Sequence, residues 1–268
     1  MLDTRQAGPV TVIRMGRSIG GFVLYYTHCF LVGDVLIDTG TVLCRDELLK
    51  VLQGRKISAI INTHGHEDHA GNNKIIQERF GAQILAHSDA LPYLENPRRV
   101  KQPFYIRTVW DYPEPSNGQV LGDIFETEEY CFQVIKTPGH TDDHVCLYEP
   151  NQKWLFTGDL FCGERVKYLR RDEDFTQMLY SLRYLGELDV NTLFCCVAGV
   201  VDNAGLALRN KISFMQDIWN RTWELYKRGM APAQIRHKLL GSEELMKWAT
   251  NGHFAKQHTI HSILGLPH

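Results

Sequence analysis

The sequence lacks long apolar runs and lacks an excess of positive charge. No stretch approaches 18 uninterrupted apolar residues, so no transmembrane helix is expected. The first residues contain no apolar segment of the kind found in signal peptides. Lys and Arg number 29 against 31 Asp and Glu, which gives a formal net charge of -2 and disfavours nucleic-acid binding. These absences predict a cytoplasmic protein that binds neither a membrane nor a nucleic acid.

Cysteine pairs of the C-x-x-C type are also missing. The seven cysteines are odd in number, and most lie in apolar runs typical of strands. We therefore expect reduced, buried thiols and no disulfide framework. Hydrophobic residues make up 44% and charged residues 22% of the 268 residues, which excludes disordered, collagen-like and coiled-coil chains.

Short apolar runs and helical spacings alternate along the first 205 residues. Strands are predicted at 10–15, 22–26, 29–32, 35–38, 57–62, 83–86, 130–136, 144–148, 154–157 and 193–197, and helices at 46–52, 71–80 and 175–185. After residue 205 the apolar positions recur only at helical spacing, and no strand is predicted after Val201. The pattern predicts an α/β domain over 1–205 and a helical C-terminal extension over 206–268 that packs on it.

The segment 96–122 is predicted to be irregular. It contains the aromatic residues Phe104, Tyr105, Trp110 and Tyr112. A loop of this length is often functional, but it is also consistent with a packed surface excursion. Both interpretations stay open at this point.

The strongest chemical signal is the string THGHEDH at 63–69, which directly follows the predicted strand 57–62. It offers four potential metal ligands within six residues. His64 and His66 lie two residues apart at a strand end, so their side chains leave on similar sides. Asp68 and His69 follow at the start of the next helix, where the helix dipole favours a carboxylate. The string could therefore serve two adjacent metal ions.

Two further ligand candidates also follow predicted strands. His140 lies in TPGHT at 137–141, and Asp159 ends FTGD at 156–159. Three strand ends with His and Asp side chains predict one site at one edge of a sheet. All of these candidate ligands offer nitrogen or oxygen. Such a set indicates a site for Zn²⁺, Fe²⁺ or Mn²⁺ rather than a structural site built from thiolates.

Four segments, in this order along the chain, resemble motifs of the metallo-β-lactamase superfamily. They are LIDTG at 36–40, H-x-H-x-D-H at 64–69, PGHT at 138–141 and GD at 158–159. The resemblance covers roughly residues 10–205 and is nearest to the hydroxyacylglutathione-hydrolase-like branch. It implies a four-layer αββα sandwich with a C-terminal helical extension, and a metal site at one edge of the facing sheets.

The resemblance also implies roles for individual residues. One or two divalent ions are expected, most simply zinc, with iron or manganese as alternatives. Asp38 would orient the metal-binding loop from behind, as supporting carboxylates commonly do. The implied ligands are His64, His66 and His140 for the first metal, Asp68 and His69 for the second, and Asp159 between the two.

The fifth family motif departs from the pattern. A histidine is expected after the last strand, but residues 194–200 read FCCVAGV. Three interpretations stay open: Cys195 or Cys196 supplies a thiolate, a tail histidine reaches in, or the second metal site is weak. The tail candidates are His253, His258 and His261. The weak second site is the favoured interpretation.

The implied activity is metal-dependent hydrolysis of a small ester, thioester or lactone. A metal-bound hydroxide would attack the carbonyl, and Asp68 would orient it or take up its proton. One alternative is an oxidoreductase with a single iron, resembling the persulfide dioxygenases of this superfamily, held by His64, His140 and Asp159. Another is a degenerate site that binds a ligand for signalling. The expected partner is a small-molecule substrate, and the apolar helical tail leaves a homodimer open.

Overall fold

Two β-sheets pack face to face, and helices cover both outer faces. The computed structural model describes residues 1–99, 103–166 and 168–268. Within these residues the sheets have seven and six strands, and a third, two-stranded ribbon lies apart from them. The predicted four-layer αββα arrangement is confirmed.

The first sheet is formed by the N-terminal part of the chain, with its strands in sequence order. The strands are β1 (Leu2–Ala7), β2 (Val10–Ile19), β3 (Phe22–Val32), β4 (Val35–Ile37), β5 (Ala59–Ile61), β6 (Gln83–Ala86) and β7 (Gln119–Val120). Strands β1 to β4 are antiparallel, whereas β4 to β7 run parallel. Gly33 and Asp34 form the two-residue turn between β3 and β4, and Gly33 has a φ of 58°.

The second sheet has the order β14-β13-β11-β10-β9-β8, and the ribbon pairs β12 with β15. The strands of the sheet are β8 (Ile124–Glu126), β9 (Cys131–Lys136), β10 (Val145–Glu149), β11 (Trp154–Phe156), β13 (Thr192–Cys195) and β14 (Gly199–Asp202). The ribbon consists of β12 (Leu169–Arg170) and β15 (Phe254–Ala255). It joins the tail of the chain to the segment that follows Asp159.

The helices lie outside the sheets and in the tail. They are α1 (Arg45–Leu52), α2 (Glu67–Ala70), α3 (Asn73–Phe80), α4 (Leu91–Glu95), α5 (Phe104–Val109), α6 (Phe175–Gly186), α7 (Ala204–Lys227), α8 (Pro232–Leu240), α9 (Leu245–Ala249) and α10 (Lys256–Leu264). Among the described residues, no helix combines the length and the apolar character that crossing a bilayer requires.

Strand alternation divides the core into three apolar layers. Phe30 and Val32 of β3 point between the sheets, whereas Cys29 and Leu31 point to the layer beneath α1 and α3. The third layer lies between the second sheet and helices α6 and α7. All seven cysteines are free, and five of them are buried.

The tail contains a strand that the sequence pattern did not predict. Strand β14 ends at Asp202, and β15 forms at Phe254–Ala255, so the prediction of no strand after Val201 is wrong. A two-residue strand is too short to show alternation, and it forms because β12 pairs with it. The division into a domain over 1–205 and an extension over 206–268 stays a prediction; α7 begins at Ala204 and packs on the second sheet.

The segment 96–122 is more regular than predicted, although its residues 100–102 lie outside the described residues. It contains α5 and β7, so the prediction of an irregular segment is wrong for these two stretches. Helix α5 is rich in aromatic and β-branched residues, which are weak helix formers. Packing of Tyr105 against His253 and Phe254 fixes it instead.

We expect the stacked rings between the sheets to dominate stability. Phe194 is 1% exposed and stacks on Phe156 with ring centroids 4.5 Å apart. Phe194→Ala should lower the free energy of unfolding by about 3–5 kcal/mol, measured by urea denaturation, because it leaves a cavity in the central layer. The control Tyr184→Ala, at a ring 60% exposed on α6, should change it by less than about 0.5 kcal/mol. Equal losses in the two variants would contradict this description of the core.

Candidate metal centre

The string 63–69 is held in place by a buried carboxylate at the end of β4. Asp38 is fully buried. Its Oδ1 accepts a hydrogen bond from the backbone N–H of Thr63 at 2.9 Å, and its Oδ2 accepts one from Thr63 Oγ1 at 2.8 Å. The backbone N–H of Gly65 donates to Asp143 Oδ2 at 2.8 Å. These bonds fix the loop between β5 and α2 before any ligand side chain is considered.

Three imidazoles converge in what we call the first ligand cluster, which consists of His64, His66 and His140. His66 Nδ1 lies 2.7 Å from His64 Nε2 and 3.1 Å from His140 Nε2. One nitrogen from each ring lies within 4.8 Å of the other two. Two strand ends of different sheets, those of β5 and β9, therefore bring the three rings together.

The second ligand cluster consists of Asp68, His69 and Asp159. His69 Nε2 lies 3.8 Å from Asp68 Oδ1 and 3.5 Å from Asp159 Oδ1. The other oxygen of Asp159, Oδ2, lies 3.7 Å from His140 Nε2 in the first cluster. Asp159 thus turns one oxygen toward each cluster.

A glycine is required immediately before Asp159. Gly158 has a φ of 46°, and a Cβ on it would lie 2.6 Å from His144 Nε2 and 2.8 Å from Thr63 Oγ1. His144 Nε2 accepts a hydrogen bond from the backbone N–H of Asp159 at 3.3 Å. The close approach places the carboxylate of Asp159 against the loop 63–69.

Acceptors behind the rings determine which nitrogens face the centre. His69 Nδ1 donates to Asp38 Oδ2 at 2.8 Å, and His140 Nδ1 donates to Glu173 Oε1 at 2.6 Å. A carboxylate can only accept, so Nδ1 carries the proton in both rings. The Nε2 lone pairs of both rings are then free to bind a cation, which is the arrangement found behind metal-ligating histidines.

The ionisation states of these groups also suit a cation. Burial, together with the neighbouring imidazoles, holds the pKa of His64 well below its usual range, so this ring stays neutral. Burial would raise the pKa of Asp159, but His69 and His140 outweigh it and lower that pKa, so the carboxylate stays ionised. Burial likewise opposes charge on His69, yet Asp38 and the other acids raise its pKa well above the usual range. The acidic groups that favour a proton on His69 also favour a metal cation in its place at Nε2, with release of that proton.

Two buried atoms of the second ligand cluster lack hydrogen-bond partners. Among the residues that the structure describes, neither His69 Nε2 nor Asp159 Oδ1 finds one. Buried polar atoms are rarely left in this state unless an ion or water completes them. The orphaned atoms and the imidazole and carboxylate donors together fit a divalent metal.

The cysteines of the fifth-motif region lie behind the ligands. Cys196 Sγ donates to Asp38 Oδ2 at 3.3 Å, and burial raises the pKa of this thiol well above its usual range. Cys195 Sγ accepts from the backbone N–H of Ala198 at 3.3 Å. Asp38, His69 and Cys196 also form a three-residue group close enough to hold an ion. The thiol of Cys196 thus contacts the carboxylate that supports His69.

The tail histidines are held elsewhere. His258 Nε2 donates to the carbonyl of Gly252, and His261 Nδ1 donates to that of Pro267. His253 lies nearer to the site, where its Nε2 is 3.5 Å from Asp172 Oδ1. In the described parts of the chain, none of these three belongs to a possible metal-binding group.

Several residues of the site belong to no sequence motif, so the sequence analysis did not identify them as part of the site. Glu173 supports His140 from 33 residues away, and Arg170 lies against His66. Tyr25 donates its hydroxyl to Asp68 Oδ2 at 2.7 Å. The ring of Trp110 packs edge-on against Tyr25, with centroids 5.1 Å apart. The segment that contains α5 therefore reaches the wall of the site.

Comparison with known proteins agrees with these observations. The model of the metallo-beta-lactamase superfamily matches residues 23–197, which is more than half of the chain. A hydroxyacylglutathione hydrolase of Pelagibacter ubique is 27% identical over 186 residues, which are 62% of this chain and 67% of that protein. An atrochrysone carboxyl ACP thioesterase of Aspergillus fumigatus is 26% identical over 191 residues, or 66% of this chain and 53% of that protein.

Solved structures agree on the fold. A beta-lactamase domain protein from Burkholderia ambifaria superposes with a TM-score of 0.74 at 15% identity. The match covers 98% of this chain and 88% of that one. The predicted family and fold class are both confirmed. The chain belongs to the metallo-beta-lactamase superfamily.

Proposed function

We propose that this hydrolase of the metallo-beta-lactamase superfamily cleaves thioesters of small acyl groups with the help of bound zinc. The observation that carries the proposal is the pair of ligand clusters that share Asp159, with His69 Nε2 and Asp159 Oδ1 left without partners. Small esters and lactones are further substrates of the same chemistry. The free cysteines support a reducing, cytoplasmic compartment.

We assign to the residues of the two clusters the role of metal ligands, and to Asp38 and Glu173 the role of orienting them. His64, His66 and His140 would hold the first metal, while Asp68 and His69 would hold the second, and Asp159 would face both. Bound there, a divalent metal supplies Lewis-acid charge and makes water a nucleophile at neutral pH. Asp38 keeps His69 oriented through Nδ1, and Glu173 does the same for His140.

Asp68 is the residue that we assign to proton transfer. Its Oδ1 faces His69 Nε2, whereas its Oδ2 accepts from the hydroxyl of Tyr25. The carboxylate is therefore fixed at one oxygen by a protein donor and presents the other to the centre. We propose that this second oxygen orients the attacking water and accepts its proton.

A covalent route through a serine has no support in this fold. Gly16 to Gly20 read GRSIG and match the G-x-S-x-G spacing. Ser18 is exposed near the tip of the hairpin of β2 and β3, where the pairing shifts register. A nucleophile elbow requires a sharp turn from strand to helix, which this hairpin does not provide.

The thioester preference is supported by the relatives, one of which is named a hydroxyacylglutathione hydrolase and another an ACP thioesterase. The missing fifth-motif histidine leaves the second cluster with Asp68 and His69 plus the shared Asp159. We propose that this second site binds its metal more weakly than the first.

The second candidate function is an oxidoreductase with a single iron held by His64, His140 and Asp159. Asp159 Oδ2 lies 3.7 Å from His140 Nε2, and this set of ligands does not require a fifth-motif histidine.

Metal reconstitution tests the proposed function. We expect the zinc-loaded protein to hydrolyse S-acyl glutathione thioesters, with the released thiol measured by a thiol reagent. His140→Ala should lower both the zinc-to-protein ratio and kcat/KM, the latter by at least about 100-fold, because the loss of a ligand removes several kcal/mol of charge stabilisation. The control His237→Ala, at an exposed residue of α8, should leave both quantities unchanged.

Other outcomes identify the competing functions. Stoichiometric iron in protein made without added metal, with sulfite released from glutathione persulfide, would establish the oxidoreductase instead. Zinc-loaded protein that is inactive on thioesters, esters, lactones and phosphodiesters would overturn the hydrolase and favour a ligand-binding protein.

A second prediction concerns the carboxylate behind the ligands. Asp38→Asn removes the charge that fixes His69 Nδ1, so zinc affinity should fall about 10- to 100-fold, measured by competition with a chromophoric chelator. The control Asp34→Asn removes a surface carboxylate that pairs with Lys56 Nζ at 2.8 Å, and it should leave zinc affinity unchanged. Unchanged affinity in Asp38→Asn would show that Asp38 does not position the ligands.

A further inference from the structure

An arginine side chain lies against the first ligand cluster. Arg170 ends strand β12, next to the tail strand β15. Its Nη1 lies 3.2 Å from His66 Nδ1 and 3.0 Å from His66 Nε2. The side chain is only 14% exposed, so this contact is made inside the site and not on the outer surface.

The carboxylate of Asp172 fixes the rest of this guanidinium. Arg170 Nε donates to Asp172 Oδ1 at 3.1 Å, and Nη2 donates to Asp172 Oδ2 at 2.8 Å. Burial alone would lower the pKa of Arg170, but Asp172 and Glu173 outweigh it and raise the pKa, so the group stays charged. A two-pronged pair of this kind sets the plane of the guanidinium and leaves Nη1 directed at His66.

The contact between Arg170 Nη1 and His66 Nε2 would not be a hydrogen bond once His66 held a metal. His66 Nδ1 is the nitrogen that faces His64 and His140, so it is the atom that would bind the metal. Nε2 of the same neutral ring then carries the proton and is a donor. A guanidinium has donors only, so Nη1 and His66 Nε2 would face each other as two donors. The hydrogens of Nη1 therefore need an acceptor other than His66.

We propose that this acceptor is an anionic oxygen of the substrate, so that Arg170 selects acyl groups that carry a second carboxylate. The inference rests on the proposed function and names its substrate class, the monothioesters of short dicarboxylic acids. Because Nη1 lies beside an assigned metal ligand, the carboxylate that it binds must be only a few bonds from the scissile carbonyl. A charge on a distant part of the thiol would not reach it.

Binding of product-like acids to the zinc-loaded protein tests the proposal without a turnover assay. Matched pairs with equal carbon number are malonate and propionate, succinate and butyrate, and glutarate and pentanoate. Isothermal titration calorimetry should show that at least one diacid binds about 30-fold more tightly than its monoacid, which is the typical worth of a charge-assisted hydrogen bond. Equal affinities across all three pairs in the unaltered protein would overturn the proposal.

Variants separate recognition from structural support. Arg170→Gln should abolish the preference for the diacid and leave monoacid affinity unchanged. The matched control Arg171→Gln removes the exposed neighbouring guanidinium and should keep the preference. If Arg170→Gln weakened both acids equally, Arg170 would be a structural support of Asp172, and the proposal would be wrong.

Thioesters of N-acetylcysteamine distinguish this proposal from the proposed function. Hydrolysis of the S-succinyl, S-malonyl or S-glutaryl ester with a kcat/KM about 30-fold above that of its monoacid match would agree with the role of Arg170. Hydrolysis of all esters at equal kcat/KM would overturn the role of Arg170 and leave the hydrolase intact. If no thioester were hydrolysed while the diacid preference in binding persisted, the thioester hydrolase would fail and the anion site would stand.

Discussion

The buried carboxylate of Asp38 joins three parts of the chain that are far apart in sequence. Its two oxygens accept from the backbone and hydroxyl of Thr63, from His69 Nδ1 and from Cys196 Sγ. Asp38 also adopts a φ of 57°, a conformation that costs a non-glycine residue about 1–3 kcal/mol. The hydrogen bonds offset this cost, and they tie the end of β4, the loop 63–69 and the end of β13 to one point.

That single point explains why the two ligand clusters lie at the edge shared by both sheets. The first sheet supplies the loop 63–69 and the second supplies His140 and Asp159 after β9 and β11. Cys196 occupies the region where the family pattern has a histidine, and it contacts the Asp38 carboxylate instead. The second cluster consequently has Asp68 and His69 plus the shared Asp159, which is the physical basis of our proposal that a second metal would bind more weakly.

Much of this arrangement could be predicted from the sequence, because its signals are local. Apolar runs locate most strands, and the short spacings of 63–69, 137–141 and 156–159 expose the ligand candidates. Strand β1 escapes prediction because it is largely exposed and depends on pairing with β2. An ion pair between Arg14 Nη2 and Asp3 Oδ2, 2.6 Å apart, supports this pairing. Glu173 and Arg170 escape prediction since they act on His140 and His66, which lie 33 and 104 residues away along the chain.

Anomalous diffraction from crystals grown with zinc tests the central claim most directly. Maps recorded above and below the zinc edge should show a strong peak about 2.0–2.3 Å from the facing nitrogens of His64, His66 and His140. A weaker peak should lie among Asp68, His69 and Asp159. A map without any peak at the three imidazoles, in crystals where these side chains keep the positions described, would contradict the account.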